Sequence, residues 1–335
     1  MGAESARLVR AAVGGDVEPP VDRDERPGRR LRRRVKSALA TYYSRAGRID
    51  RICYLVGATL FASGLFHLGV QLVVGGPWDG PVSWRKPFDF GLAFGLTVAT
   101  ITWVTNFVPL RERTRARLLS VFTLACIVEV AVITIQAWRG VPSHFNVSTK
   151  LNATFAFTAA GGGAVIIIST LAMAVGAFWR NPNMPPSMRL AIRAGFVSFL
   201  VALAIGAMMI GLGVNATRTI SQAAAYTVAT AFKSGHAATM HGILILPTLA
   251  WLTSFTSWTE AQRVRIVALG AAGYLLAAGV VVVDTFVSIN PLAPLDAPLI
   301  TTVLTVGGII SLLTAGIRTL ARLWREAPAA GLEHT

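Results

Sequence analysis

Eight runs of about twenty or more mostly apolar residues succeed one another along the chain, at approximately 52–74, 88–110, 118–138, 153–179, 190–214, 237–258, 264–290 and 298–324. A run of that length, wound as a helix, crosses a hydrocarbon layer of roughly 30 Å. The runs are continuously apolar and show no alternation of period two, so they read as helices and not as barrel strands. The expected fold is therefore all-α: a polytopic membrane helix bundle of eight transmembrane helices. Composition agrees, with 53% hydrophobic residues, 14% charged residues and a mean hydropathy of +0.58; soluble domains carry about 25% charged residues.

The net charge of +15 raises the question of nucleic acid, and its placement answers against it. Thirteen of the 31 basic residues lie in the first 51 positions, including "RPGRRLRRRVK". A polybasic segment beside a membrane helix is a topology signal attracted to anionic lipid. Residues 1–51 are accordingly expected to form a basic, largely disordered cytoplasmic tail, and residues 52–325 a single transmembrane domain. Beyond the tail, 12 basic residues fall in alternate connections and at the C-terminal end: Arg111, Arg113, Arg115, Arg117, Arg180, Arg189, Arg193, Arg263, Arg265, Arg318, Arg322 and Arg325. The opposite side has 6: Arg85, Lys86, Arg139, Lys150, Arg218 and Lys233. This bias places both termini in the cytoplasm, and the expected location is the plasma membrane. No cleavable signal peptide is visible, because the first apolar run starts past residue 50.

Cys53 and Cys126 fall within apolar runs without CxxC spacing and read as packing residues. Small residues, among them Gly91 and Gly95 in GxxxG spacing, mark close helix approach; Gly161–Gly163 read the same way, with a bend around a ligand as the alternative. Residues 215–236 are too polar to span, and a short helix at the outer interface or a lid suits them. No Walker loop, HExxH or GxSxG is present, so those chemistries have no residues to carry them.

Ionisable groups within the runs are the exceptions that call for a partner or a purpose. His67, His241 and Asp284 lie one to two turns below the outer surface, and Glu129 nearer the middle. Gln71 follows His67 by four positions and Gln136 follows Glu129 by seven, giving each helix a polar stripe. The outer connections add "WRKPFDF", with Arg85 and Asp89, and "QAWRGVPSHFNVSTK", with Arg139, His144 and Asn146. Arginine offers a rigid donor fork to a carboxylate or phosphate. Two readings stand side by side. In one, Arg85, Asp89, Glu129, Gln136, Arg139, His144, Asn146 and Asp284 line an outward-facing ligand pocket; in the other, the arginines pair with acids to hold the bundle together. His67 and His241 reach similar depth and form a candidate axial pair for haem b.

At these residues the chain resembles a group of uncharacterised bacterial multi-pass membrane proteins that share SWRKP followed by an aromatic-Gly pair, a Glu ahead of QxxRGxxSHFN, and a His-x4-His pair. Here these are Ser83–Pro87 with Phe90-Gly91, Glu129 with Gln136–Asn146, and His236 with His241. Ahead of the histidines, residues 231–234 depart from the group's Asp-Leu-Arg. The resemblance spans residues 80–245; it implies positions that act together and no established activity. Three function classes follow: a haem- or quinone-binding redox module, which is the form an enzyme would take here; a small-solute transporter or channel; and a structural or sensory membrane protein.

Overall fold

The computed structural model describes residues 27–287 and 298–326. Among these there are eleven α-helices and no strand: α1 (Pro27–Arg45), α2 (Arg48–Val74), α3 (Arg85–Thr105), α4 (Glu112–Trp138), α5 (Lys150–Phe178), α6 (Pro186–Thr219), α7 (Gln222–Ala231), α8 (Lys233–Met240), α9 (Gly242–Thr253), α10 (Glu260–Phe286) and α11 (Leu299–Glu326). Seven of them, α2 to α6 with α10 and α11, are long and apolar enough to cross a membrane.

Seven long apolar helices thus stand where eight transmembrane helices were expected. The run at 237–258 is not one helix but the pair α8 and α9, separated at His241, and α9 contains Pro247. Proline lacks the N–H that a helix interior needs and crowds the preceding turn. At the far end, Thr253, Ser254 and Thr256 each turn a hydroxyl onto a backbone carbonyl three residues back, at 2.6–2.7 Å, which ends the helix before 258.

The broken stretch nevertheless runs the length of α6. The His236 ring meets the Ala202 carbonyl at 2.7 Å, the Ser198 hydroxyl donates to the Thr239 carbonyl at 2.6 Å, and Ile243 lies against Gly195. Numbers rise on one side as they fall on the other, so α7, α8 and α9 descend antiparallel to α6. Residues 215–236, expected as an interfacial helix or a lid, instead finish α6, form α7 and begin α8, with Ala225 and Ala229 packed on Ala216.

Residues 27–45, expected within a largely disordered tail, form α1; residues 1–26 lie outside the described residues, as do 288–290 of the seventh run. Ala38 of α1 packs with Phe255 and with Leu323 near the end of α11. The first and last described helices thus meet at one end of the bundle, called the lower end here, where the arginine-rich connections also lie. Also at that end, Arg115 of α4 makes a buried ion pair with Asp50 of α2 and donates to the Thr102 carbonyl of α3 at 3.1 Å. One guanidinium therefore ties three helices.

The α2–α3 contact depends on the absence of side chains. A Cβ on Gly91 would fall 2.7 Å from Gly64 backbone atoms, and one on Gly64 would fall 2.6 Å from the Leu92 nitrogen. Backbones this close gain dispersion contact that larger residues would forbid. Gly91→Val is expected to destabilise the protein by at least about 1–3 kcal/mol; thermal unfolding in detergent reads it, and an unchanged midpoint would show that the contact is dispensable.

Candidate functional site

At the upper end the N-terminus of α3, the connection 139–149 and the start of α8 converge, and they carry most of the polar residues singled out from the sequence. They separate into an aromatic post, a hydrogen-bonded loop frame and a cationic cluster, called the cleft below.

The post is built on His67. Its Nδ1 lies 2.7 Å from the Ser63 carbonyl, and its Nε2 accepts from Trp138 Nε1 at 3.1 Å. The ring stacks on Trp84, and Trp84 and Trp138 meet edge to face at 4.9 Å. With Nδ1 donating and Nε2 accepting, the ring is neutral and neither nitrogen is open to a metal. His241 is exposed at the α8–α9 break, and its Nδ1 bonds the Ala237 carbonyl at 2.8 Å. His67, expected with His241 as a haem pair, has both ring nitrogens hydrogen-bonded and joins α2, α3 and α4.

The loop frame absorbs three expected ligand residues. Arg139 Nη1 donates to Gln136 Oε1 and, at 3.0 Å, to Asn152 Oδ1, and its guanidinium lies over the Phe155 ring. Gln136, fully buried, donates to the Pro142 carbonyl at 3.3 Å. Asn146 Oδ1 accepts from the Ser148 amide and hydroxyl, at 3.2 and 2.7 Å, and caps the turn. These side chains bond one another and the backbone, and so shape the loop. The frame is keyed to the bundle by Phe145. Its φ of 57° is the single positive value at a non-glycine position among the described residues. Its ring occupies the space that a side chain at Gly213 would need, 2.3 Å from a Cβ there.

The cleft lies between. Arg85 pairs with Asp79 at 2.7 Å and with Asp89 at 3.4 Å, so its charge is matched. Lys86 Nζ meets His144 Nδ1 at 3.2 Å, and Ser143 Oγ is 3.0 Å from the same nitrogen. Where Lys86 is the donor, His144 carries its proton on Nε2 and presents an N–H. Lys233, from α8, is within electrostatic reach of Lys86, Arg85, Asp79 and Asp89. Glu129, buried in α4, lies against α5 where Gly162 leaves room: a Cβ there would be 3.2 Å from Oε1. Glu129 also senses Lys86. Gly162 and Gly163 thus make space for a carboxylate, and α5 runs through glycines 161–163 without interruption.

Neither Lys86 nor Lys233 forms an ion pair among the described residues. The α3 N-terminus adds little for an anion to bind. Ser83 Oγ accepts from the Arg85 amide and the Ser83 carbonyl from the Lys86 amide, while residue 87 is a proline without an N–H. Side-chain ammonium groups are what the cleft has to offer. Asp284 stands apart on α10, buried, with Oδ1 lacking a hydrogen-bond partner among the described residues.

Of the expected site, then, Arg85, Asp89, Glu129 and His144 come together; Gln136, Arg139 and Asn146 frame the loop; His67, His241 and Asp284 lie elsewhere. Lys86 and Lys233 were recognised in the sequence as outer polar residues but not as its centre. The signal available was their type: each is a lysine on the side the positive-inside tendency avoids. Tyr226 was missed altogether, and its hydroxyl donates to the His144 carbonyl. Compared with known proteins, the chain matches no family model, no curated relative and no solved structure.

Burial, and after it the neighbouring Lys86 ammonium, hold the His144 ring well below its ordinary 6.5. The folded protein therefore keeps the ring neutral where the unfolded chain binds a proton. Stability is full above about pH 6.5 and falls as pH drops below it, by up to about 1.4 kcal/mol per unit. Unfolding midpoints between pH 7 and pH 5 are expected to decline less steeply in His144→Gln than in the wild type; equal slopes would assign the decline to other groups.

Proposed function

We propose that the chain is an eight-pass plasma-membrane protein, with both ends in the cytoplasm, that binds a small anionic ligand from the extracytoplasmic side between Lys86, Lys233 and His144. The observation that carries this reading is Lys86, which meets His144 at 3.2 Å and pairs with no carboxylate at ion-pair distance among the described residues, with Lys233 of α8 within electrostatic reach. A cation without a counter-charge is costly near lipid, and an anion offsets that cost. The topology draws support from the arginine asymmetry, from the antiparallel descent of α7 to α9 along α6, and from the packing of Ala38 on Leu323. Eight passages return the chain to the side on which it began.

Membership in the SWRKP and SHFN group is part of the same proposal. The Lys of the first motif bonds the His of the second at 3.2 Å, which gives two separated sequence signatures one physical purpose. A quinone with a polar head is the runner-up ligand at this cleft, and haem loses its supporting pair for the reasons given above.

The test is ligand-induced stabilisation of detergent-purified protein by a panel of inorganic phosphate, sulfate and short-chain carboxylates. One anion is expected to raise the unfolding midpoint, and Lys86→Met to weaken its binding by at least about tenfold, the value of one charge-assisted hydrogen bond. A panel without effect on the wild type would end the proposal.

One observation favours transport over binding alone. The α7–α9 passage is broken beside the cleft, and discontinuous helices are where transporters place their substrate sites. On this reading Glu129 carries the coupled proton. Vesicles containing the protein are expected to take up the stabilising anion, and Glu129→Gln to abolish uptake while leaving binding in detergent within about twofold; uptake at the wild-type rate in that variant would refute the role of Glu129.

A further inference from the structure

A second, separate cavity lies at the lower end of the bundle, beneath α1. It encloses about 380 Å³, within the range of about 300–1,000 Å³ typical of small-molecule sites. Helix α1 roofs it with Ala38, Leu39, Tyr42 and Tyr43, while Tyr54, Trp103 and Trp251 form its walls. Three of its hydroxyls take part in hydrogen bonds. Tyr42 and Tyr54 share a hydrogen bond of 3.0 Å, Asn106 Nδ2 donates to the Tyr42 oxygen at 2.5 Å, and the Thr248 hydroxyl donates to the Leu244 carbonyl at 2.7 Å. An occupant meets mostly aromatic and aliphatic walls, so the part that enters is hydrocarbon.

The roof says what that hydrocarbon is attached to. Helix α1 carries seven basic residues and no acidic one. Arg32, Lys36, Leu39 and Tyr43 follow one another at i, i+4, i+7 and i+11, which sets them along one helix face. All four are exposed. The first two end in cations and the last two line the cavity, so polar and apolar contacts are laid out in the order an amphiphile presents them. A polybasic helix at a cytoplasmic leaflet attracts anionic head groups. From this charge and shape together we infer that the cavity holds one acyl chain of an anionic phospholipid whose phosphate sits on Arg32 and Lys36. Its occupant fastens α1 to α2, α3 and α9. This site is independent of the Lys86 cleft at the opposite end.

Delipidated, full-length protein in a mild non-ionic detergent is titrated with phosphatidylglycerol or phosphatidylcholine of the same chain length, and bound lipid is counted by native mass spectrometry. One phosphatidylglycerol is expected to bind about thirtyfold more tightly than phosphatidylcholine, from two cations near the head group. Arg32→Gln with Lys36→Gln, both at exposed positions, is expected to erase the preference while chain binding persists. Thr248→Trp, which fills the cavity, should reduce retention of both lipids; where that variant fails to fold, the Arg32 and Lys36 pair alone decides. Equal affinity for the two lipids, an undiminished preference in the double variant, or a neutral isoprenoid quinone recovered as the bound molecule would each overturn the inference.

Discussion

Hydrocarbon offers no hydrogen-bond partner to a peptide group, so every N–H and C=O that enters it has to be satisfied within the protein. Most of the chain meets this constraint in the simplest way, through seven long helices whose ladders close on themselves. The descending passage from Gln222 to Thr253 meets it differently, in three pieces. It can do so because it is covered: α6 lies along it, with the Ser198 hydroxyl and the His236 ring bridging between the two, and the Tyr274 hydroxyl of α10 donates to the Ala238 carbonyl just ahead of the break. Irregular backbone is tolerated where protein replaces solvent. The place where it occurs also brings Lys233 towards the head of α3.

The same accounting separates polar residues that complete the structure from those left with capacity to spare. Arg115 is spent on Asp50 and the Thr102 carbonyl, Arg139 on Gln136 and Asn152, and His67 on Ser63 and Trp138. What remains is small: a lysine that donates one N–H to His144, a second lysine from another helix, and a buried glutamate in a notch of α5. A site is most readable as this residue of unspent hydrogen-bonding and charge, once the structural uses have been subtracted.

Much of the fold was legible because apolar length is a local property. The ends of α2, α4 and α5 fall within a few residues of the runs at 52–74, 118–138 and 153–179. The sixth run misled because a hydropathy window averages over a single-residue break, although Gly242 and Pro247 were in plain view. The candidate site was legible in kind and not in pairing. Residue type showed that His144, Glu129 and Arg85 were costly to place, but whether Arg139 faces a ligand or its own loop depends on Asn152, and the Lys86–His144 contact joins positions 58 apart. Such choices are made by packing between helices, which no periodicity records.

Phe145 carries a mechanical corollary. It adjoins His144 in the chain, holds a left-handed backbone conformation and fills the notch at Gly213 on α6. A ring so keyed acts as a crank pin: a rotation or slide of α6 would be delivered through one residue of stiff backbone to the imidazole that Lys86 grips. Movement of α6 and movement of the His144 loop would thereby be geared to each other.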